Sequence, residues 1–283
     1  MNTEDLLKDI HAASRSSVEI ELKSHYLLGE TNEFDEFNPE LVSEEFSSDF
    51  ELFKYACCKY VGFRTTEDEQ KANEVWAKLS AKQEVNSMLE YSADLFLAGD
   101  TKQAFKYLLD ASRKGNLTAI FRMALCYLEG IYVKKDEKRG AQLIKLLAQK
   151  KYPDAVFYLS TMYAVGAGGV SFDEKKSEEL LKESVELESK FGQAEYGFKL
   201  FITSEDNEER KKGFSYIRES ADAGDPRAML MLAILYAKED DDAVEADEDL
   251  SKRFLIRACD LGYTPAQKLA SEILKKSSDN NNN

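Results

Sequence analysis

One motif returns eight times along the chain, and its return constrains the fold more than any other feature. It places a small or apolar residue first, an apolar residue at position five and a small one at six. An aromatic follows at nine and a glycine at twelve. Ala155-x3-Leu159-Ser160-x2-Tyr163-x2-Gly166 is the fullest copy, and Ala119-x3-Met123-Ala124-x2-Tyr127-x2-Gly130 is nearly as clear. Other copies open at Val18, Leu52, Met88, Ala194, Ala228 and Ala266, so successive starts lie 31 to 39 residues apart. Self-similarity at a period of roughly 20–50 residues marks a repeat architecture.

A second motif runs in antiphase: an acid, two residues, then a basic or amide residue. Its copies are Asp68-x2-Lys71, Asp100-x2-Gln103, Asp136-x2-Arg139, Asp173-x2-Lys176, Glu209-x2-Lys212 and Asp249-x2-Lys252. Each opens a stripe of helical period, such as Leu143, Leu146 and Leu147, or Phe254, Leu255 and Ala258. Each repeat therefore reads as two helices, A then B. The acid at the start of B accepts backbone N–H groups and faces the positive end of the helix dipole. Gly115, Gly224 and Gly262 supply left-handed caps where B gives way to the next A. A single pair cannot bury its stripe alone, so the pairs stack into an all-α solenoid.

This pattern resembles the Sel-one-like repeat family, a relative of the tetratricopeptide repeat. The family signature runs A-x3-L-G-x2-Y-x2-G-x-G-V-x2-D-x2-K-A, and its second helix ends in A-A-x2-G. Ala155 to Lys176 carries most of it, including Gly166-Ala167-Gly168-Gly169-Val170 before Asp173, with one residue inserted. The likeness is sharp over 115–276 and degenerate over 15–114. The copy at 194–213 departs furthest, with Ile202 in the aromatic place and no closing glycine. The resemblance implies a right-handed α-solenoid of about seven repeats with terminal capping helices. It also implies service as an adaptor in protein complexes; some bacterial members are immunity proteins against toxins.

The repeats leave little of the chain over. Residues 3–14 read as a capping helix, 1–276 as one solenoid domain, and 277–283 as a disordered polar tail. Two acidic segments stand out. Glu30–Glu51 holds nine acids and no Lys or Arg, with Phe34, Phe37 and Phe46 interleaved. Those phenylalanines either pack under a loop, the simpler account, or form a docking strip for a basic partner. Glu239–Asp249 carries eight acids in eleven residues without the Asp-x-Asp-x-Asp-Gly of a calcium loop, and reads as a solvated loop or a contact for a basic partner.

Charge and motif searches narrow the function. Lys and Arg number 38 against 53 Asp and Glu, a net charge of −15, which disfavours nucleic acid and suits a basic protein partner. Cys57, Cys58, Cys126 and Cys259 lack zinc or redox spacing and read as small buried hydrophobes. His11 and His25 are the only histidines, and no Gly-x-Ser-x-Gly or phosphate-binding loop is present. No run is long and apolar enough to span a membrane, and the opening residues carry no secretory signal, which predicts a cytoplasmic protein. The expected protein is non-catalytic, with no cofactor, metal or small-molecule substrate.

The expected site lies on the A helices, which line the concave face in related solenoids. With positions one, five, six and nine used for packing, position four forms a ladder: Glu21, Tyr55, Tyr91, Arg122, Tyr158. Position seven adds Asp94 and Thr161. Tyr55, Tyr91, Asp94, Arg122, Tyr158 and Thr161 are thus the predicted partner-binding residues, Tyr and Arg being enriched at binding hot spots. The competing account has the tyrosines padding the space between neighbouring helices. Leu159, at position five, is expected in the core.

Overall fold

The computed structural model describes residues 38–43, 47–61, 65–66, 68–238 and 242–281. The expected capping helix at 3–14, the copy at Val18, the ladder residue Glu21, and Phe34, Phe37 and Phe46 lie outside the described residues. Among the described residues there are thirteen α-helices, a 3-10 turn at Pro39–Leu41 and no strand. The helices are α1 (Asp49–Val61), α2 (Glu69–Ala81), α3 (Val85–Leu97), α4 (Thr101–Arg113), α5 (Leu117–Glu129), α6 (Glu137–Gln149) and α7 (Pro153–Val165). Next come α8 (Glu174–Glu186), α9 (Lys190–Thr203), α10 (Asn207–Asp222), α11 (Pro226–Tyr236), α12 (Glu248–Asp260) and α13 (Thr264–Asn281). Odd-numbered helices are the A helices and even-numbered ones the B helices.

Two compact units emerge. The first takes the described residues up to Ala155 together with Gly166–Val170; the second takes Val156–Val165 and the chain from Ser171 onward. Within the first, α1 through α6 each pack on the next; within the second, α8 through α13 do the same. Both units are stacks of helix pairs, the all-α solenoid arrangement the repeats call for.

The antiphase acid is the helix N-cap. Asp68, Asp100, Asp136 and Asp173 accept the backbone N–H of Lys71, Gln103, Arg139 and Lys176 at 2.9, 3.2, 3.0 and 2.9 Å. The acid-x2-base spacing is thus the step from cap to third helical residue. The cap residue also ties back to helix A: the N–H groups of Asp136, Asp173 and Asp247 donate to the carbonyls of Tyr127, Tyr163 and Tyr236 at 2.8, 3.0 and 2.9 Å. Two caps fall elsewhere than expected. Asp206 caps α10 and Asp247 caps α12, leaving Glu209 and Asp249 inside the first turn.

At each described B-to-A turn one residue adopts a left-handed conformation. Glycine serves at 115, 224 and 262, while Gln83, Lys151 and Glu188 do the same work with φ near +60°. The side chain at position six is small and buried in four copies, Ala93, Ala124, Ser160 and Ala233, whereas Cys57 and Ser271 are half-buried and Lys199 is exposed. Trp76, Leu108, Phe121 and Leu147 fill the first unit's core, and Ile217, Met229, Leu232 and Leu261 the second's.

Three expectations need correction. Leu159 is only half-buried, because α7 turns Val156, Phe157, Ser160 and Met162 inward instead. In α9 the register is shifted by one: Phe201 is buried and takes the aromatic place, whereas Ile202 is 60% exposed. The final helix runs on to Asn281, past the boundary expected at 276. Where it is described, the acidic insert is anchored as well as solvated. Val244 is buried, and the Asp242 carbonyl accepts the Asn207 amide at 3.3 Å.

Candidate partner-binding site

In the first unit, α1 carries Tyr55, α3 carries Tyr91 and Asp94, and α5 carries Arg122. Tyr55 is half-buried, with the Lys59 ammonium 5.9 Å from its ring centroid. Tyr91 is half-buried as well and meets the edge of Tyr107 on α4, ring centroids 5.3 Å apart at 61°. One turn on, Asp94 lies beside the Asn73 side chain of α2, which favours its charged form. Three helices thus fix one tyrosine and one carboxylate, each with a surface left to solvent.

The electrostatics there are one-signed. Burial pushes the Asp94 carboxyl above its ordinary value, the Asn73 side chain opposes this, and the charge of Glu69 adds to it. Burial also raises the Tyr91 phenol, helped by Tyr107, Asp94 and Asp100. Glu69, Asp94 and Asp100 together give the tyrosine a negative surround. An arginine or lysine from outside meets there a half-desolvated carboxylate and a ring face, both of which favour a cation.

Arg122 does not join them. It is fully buried, so the ladder has no rung at α5. Every residue from Phe121 to Tyr127 is buried. The sequence carried a signal for this: α5 is apolar nearly all round, and such a helix belongs in a core. The ladder includes Arg122 because position four is not among the packing positions of the motif; in α1, α3 and α7 that position is half-exposed.

In the second unit, α7 carries Tyr158 and Thr161. Tyr158 stands edge-on to Phe191 at 5.8 Å and to Phe157 at 5.7 Å. The Arg227 guanidinium lies 5.0 Å from the Phe191 centroid and 5.4 Å from that of Phe157. Fully buried Asp225 accepts Arg227 Nη2 at 2.8 Å and Nε at 3.1 Å. Burial works against the arginine's charge, and Asp225 outweighs it. The padding role and the surface role therefore meet in Tyr158, whose ring is held by neighbours yet half-exposed. Thr161 is exposed and donates its hydroxyl to the Tyr158 carbonyl at 2.7 Å. Asn73, Glu69 and Tyr107 carried no positional signal, since their B-helix places are ordinary in the repeat.

Other chemistry finds little footing. Burial, first, and then Glu90 push the Cys57 thiol well up, and burial with Asp260 pushes Cys259 to about 11, so neither is a thiolate at neutral pH. Among the described residues no His, Cys, Asp and Glu group is arranged to hold a metal, and no helix is long and apolar enough to cross a membrane.

A family model for the Sel1 repeat matches residues 87–116, 117–152, 153–189 and 226–263. These are the pairs α3–α4, α5–α6, α7–α8 and α11–α12, so the match begins well before the expected boundary at 115. Chitin synthase regulator SKT5 of Saccharomyces cerevisiae is 22% identical over 189 residues, covering 67% of this chain. The matched stretch spans 23% of that regulator's length. Among solved structures, an immunity protein from Pseudomonas aeruginosa superposes with a TM-score of 0.50 at 13% identity, over 81% of this chain and 88% of that one. A Sel1 repeat protein from Oxalobacter formigenes gives 0.49 at 22%, over 81% and 66%. At 13% identity the likeness to the immunity protein speaks to fold alone.

Proposed function

This chain is a Sel1-repeat protein, and on that premise we propose that it is a non-catalytic scaffold that binds a basic protein or peptide through the residues its A helices leave exposed. Sel1-repeat proteins are generally protein-interaction scaffolds. The observation that carries the finer reading is the Tyr91–Asp94 site, where Asn73 and Tyr107 hold a tyrosine and a carboxylate amid Glu69 and Asp100. Keeping a half-buried carboxylate near the charge of Glu69 works against stability, and a cationic partner offsets it. Tyr55 belongs to the same proposed surface in the first unit, and Tyr158 and Thr161 form a corresponding proposed surface on α7 in the second. Arg122 belongs to the core instead. Cytoplasmic residence and a single solenoid domain, whose last helix α13 runs on to Asn281, are part of the same proposal.

The net charge of −15 favours one special case, an inhibitor that captures a basic toxin or effector. Long-range attraction then speeds encounter and fades with salt.

The test is affinity capture from source-cell lysate with the parent chain beside a Tyr91→Ala/Asp94→Asn variant, at low and high salt. The reading expects one basic protein retained by the parent at low salt and lost by the variant and at high salt. Equal retention by the variant overturns it.

A further inference from the structure

A cluster of positive charge in an acidic chain lies between α5 and α6, in the first unit. Lys134, Lys135, Lys138 and Arg139 fall within six residues, with Asp136 and Glu137 among them. Both acids are engaged locally. Asp136 caps α6 by accepting the Arg139 N–H at 3.0 Å, and Glu137 pairs with Lys135 at 2.7 Å. Lys134 and Lys138 are exposed. The Arg139 guanidinium lies 4.4 Å from the Tyr127 ring centroid, a stacking that leaves its edge N–H groups pointing outward.

These residues line a surface cleft of about 720 Å³, with half-exposed Val133 as its apolar floor beside the Tyr127 ring that Arg139 covers. The cleft is preorganised. Gly130 closes α5 in the left-handed region at φ 75°, and a Cβ there would meet the Lys135 Cβ at 2.8 Å. Tyr132 stacks on Phe96 of α3 with centroids 4.2 Å apart, and Asp136 N–H donates to the Tyr127 carbonyl at 2.8 Å. A loop tied at its start, middle and end presents its cations without the ordering cost a free loop incurs.

We propose that this cleft is a second binding site, opposite in sign to the Tyr91–Asp94 site, which takes an acidic segment of a protein partner. The cleft is open to solvent, which suits an extended segment laid across its cations rather than an enclosed small ligand. The floor asks for an apolar or aromatic residue between the acids. Screening decides between a short acidic peptide and a long polyanion. Beyond about 8 Å at physiological salt the chain's overall charge is largely masked, so a short segment feels the local cations. A nucleic acid runs past the cleft into the repulsion of an acidic surface. The molecule then carries sites for a basic and an acidic partner, which is what bridging two proteins requires.

The probe is a short fluorescein-labelled peptide of Asp and Glu around one Phe, titrated into the full chain by fluorescence anisotropy. Saturable, salt-sensitive binding is expected, weakened about tenfold or more in Lys134→Glu/Lys138→Glu. That variant should melt like the parent, since both lysines are exposed. Lys102→Glu/Lys106→Glu makes the same change in net charge at exposed positions of α4 and should leave binding nearly unaltered, as should Tyr91→Ala/Asp94→Asn. Equal loss in the α4 variant, equal binding of the Asn/Gln version of the peptide, or displacement by a short single-stranded RNA at lower concentration would each overturn the proposal.

Discussion

Helix pairs α5–α6 and α9–α10 reach the same packing with opposite distributions of bulk. In α5 every side chain from Phe121 to Tyr127 is buried, Arg122 included, and the partner helix makes room at one point, Gly140. In α9–α10 both partners give way. A Cβ on Gly197 would come within 2.7 Å of the Gly213 carbonyl oxygen, and one on Gly213 within 2.6 Å of the Gly197 oxygen. Backbone meets backbone there. That contact sets the register: with Gly197 facing α10, Phe201 turns inward one turn later and Ile202 is left outside. Even so, Arg210 lies 4.7 Å from the Phe201 centroid, much as Arg139 lies 4.4 Å from that of Tyr127. The aromatic place and its cationic lid survive a shift that removes the pair from the family signature. A repeat is therefore defined by what its two helices bury, and the consensus letters are one solution.

The largest test of this contrast is register. Phe201→Ala is expected to cost about 3–5 kcal/mol, whereas Ile202→Ala stays within about 0.5, read by urea denaturation. Were Ile202 the costlier loss, the shifted register would be wrong.

Close approach comes next. Gly213→Ala pushes a methyl into backbone oxygen and nitrogen that cannot rotate away, and should cost about 3 kcal/mol. Gly140→Ala meets chiefly the Leu128 side chain, which can turn, and should cost about 1. Equal costs would erase the distinction between a pair with one small contact and a pair with two.

The cationic lids are a smaller matter. Arg210 also donates to the Phe201 carbonyl at 3.4 Å and is half-buried, while Arg139 is exposed. Thermal melts should rank Arg210→Ala above Arg139→Ala, both near about 0.5–1 kcal/mol.

The smallest effect sharpens the comparison from outside both pairs. Burial lifts the Asp94 carboxyl above its ordinary 3.8 in the folded chain. The folded state therefore holds that proton more tightly, and stability falls as pH rises from the ordinary value through the folded one. Asp94→Asn removes the loss, so the variant should melt slightly above the parent at neutral pH. The gap should close once the pH is below the ordinary value. A parent more stable than the variant at neutral pH would mean Asp94 has a supporting partner at that site.

Much of this was legible in the sequence, and the failures have physical causes. The caps at Asp68, Asp100, Asp136 and Asp173 could be read because each is the acid at the fixed spacing from its basic or amide partner. Asp206 and Asp247 were missed because several acids crowd each helix start, and composition does not say which one leaves helical φ and ψ. Position six was legible in the four copies where a small residue is buried there. The burial of Arg122 was signalled by the nearly all-round apolar character of α5, which a ladder built from one position per repeat passes over. The Tyr91–Asp94 site was half-visible: both residues follow from the ladder, while Asn73 and Tyr107, which hold them, sit at unremarkable B-helix positions.

The central claim is that residues the A helices leave half-exposed do the binding while the repeat signature does the folding. Its most direct test is calorimetric titration of the captured partner into the parent chain and into Tyr91→Ala/Asp94→Asn, with a melt of each. The account predicts a variant that still folds cooperatively, less stable than the parent by about 1–2 kcal/mol for the lost Tyr91–Tyr107 contact, and that binds at least about tenfold more weakly. A variant that folds cooperatively and binds as tightly as the parent would contradict it.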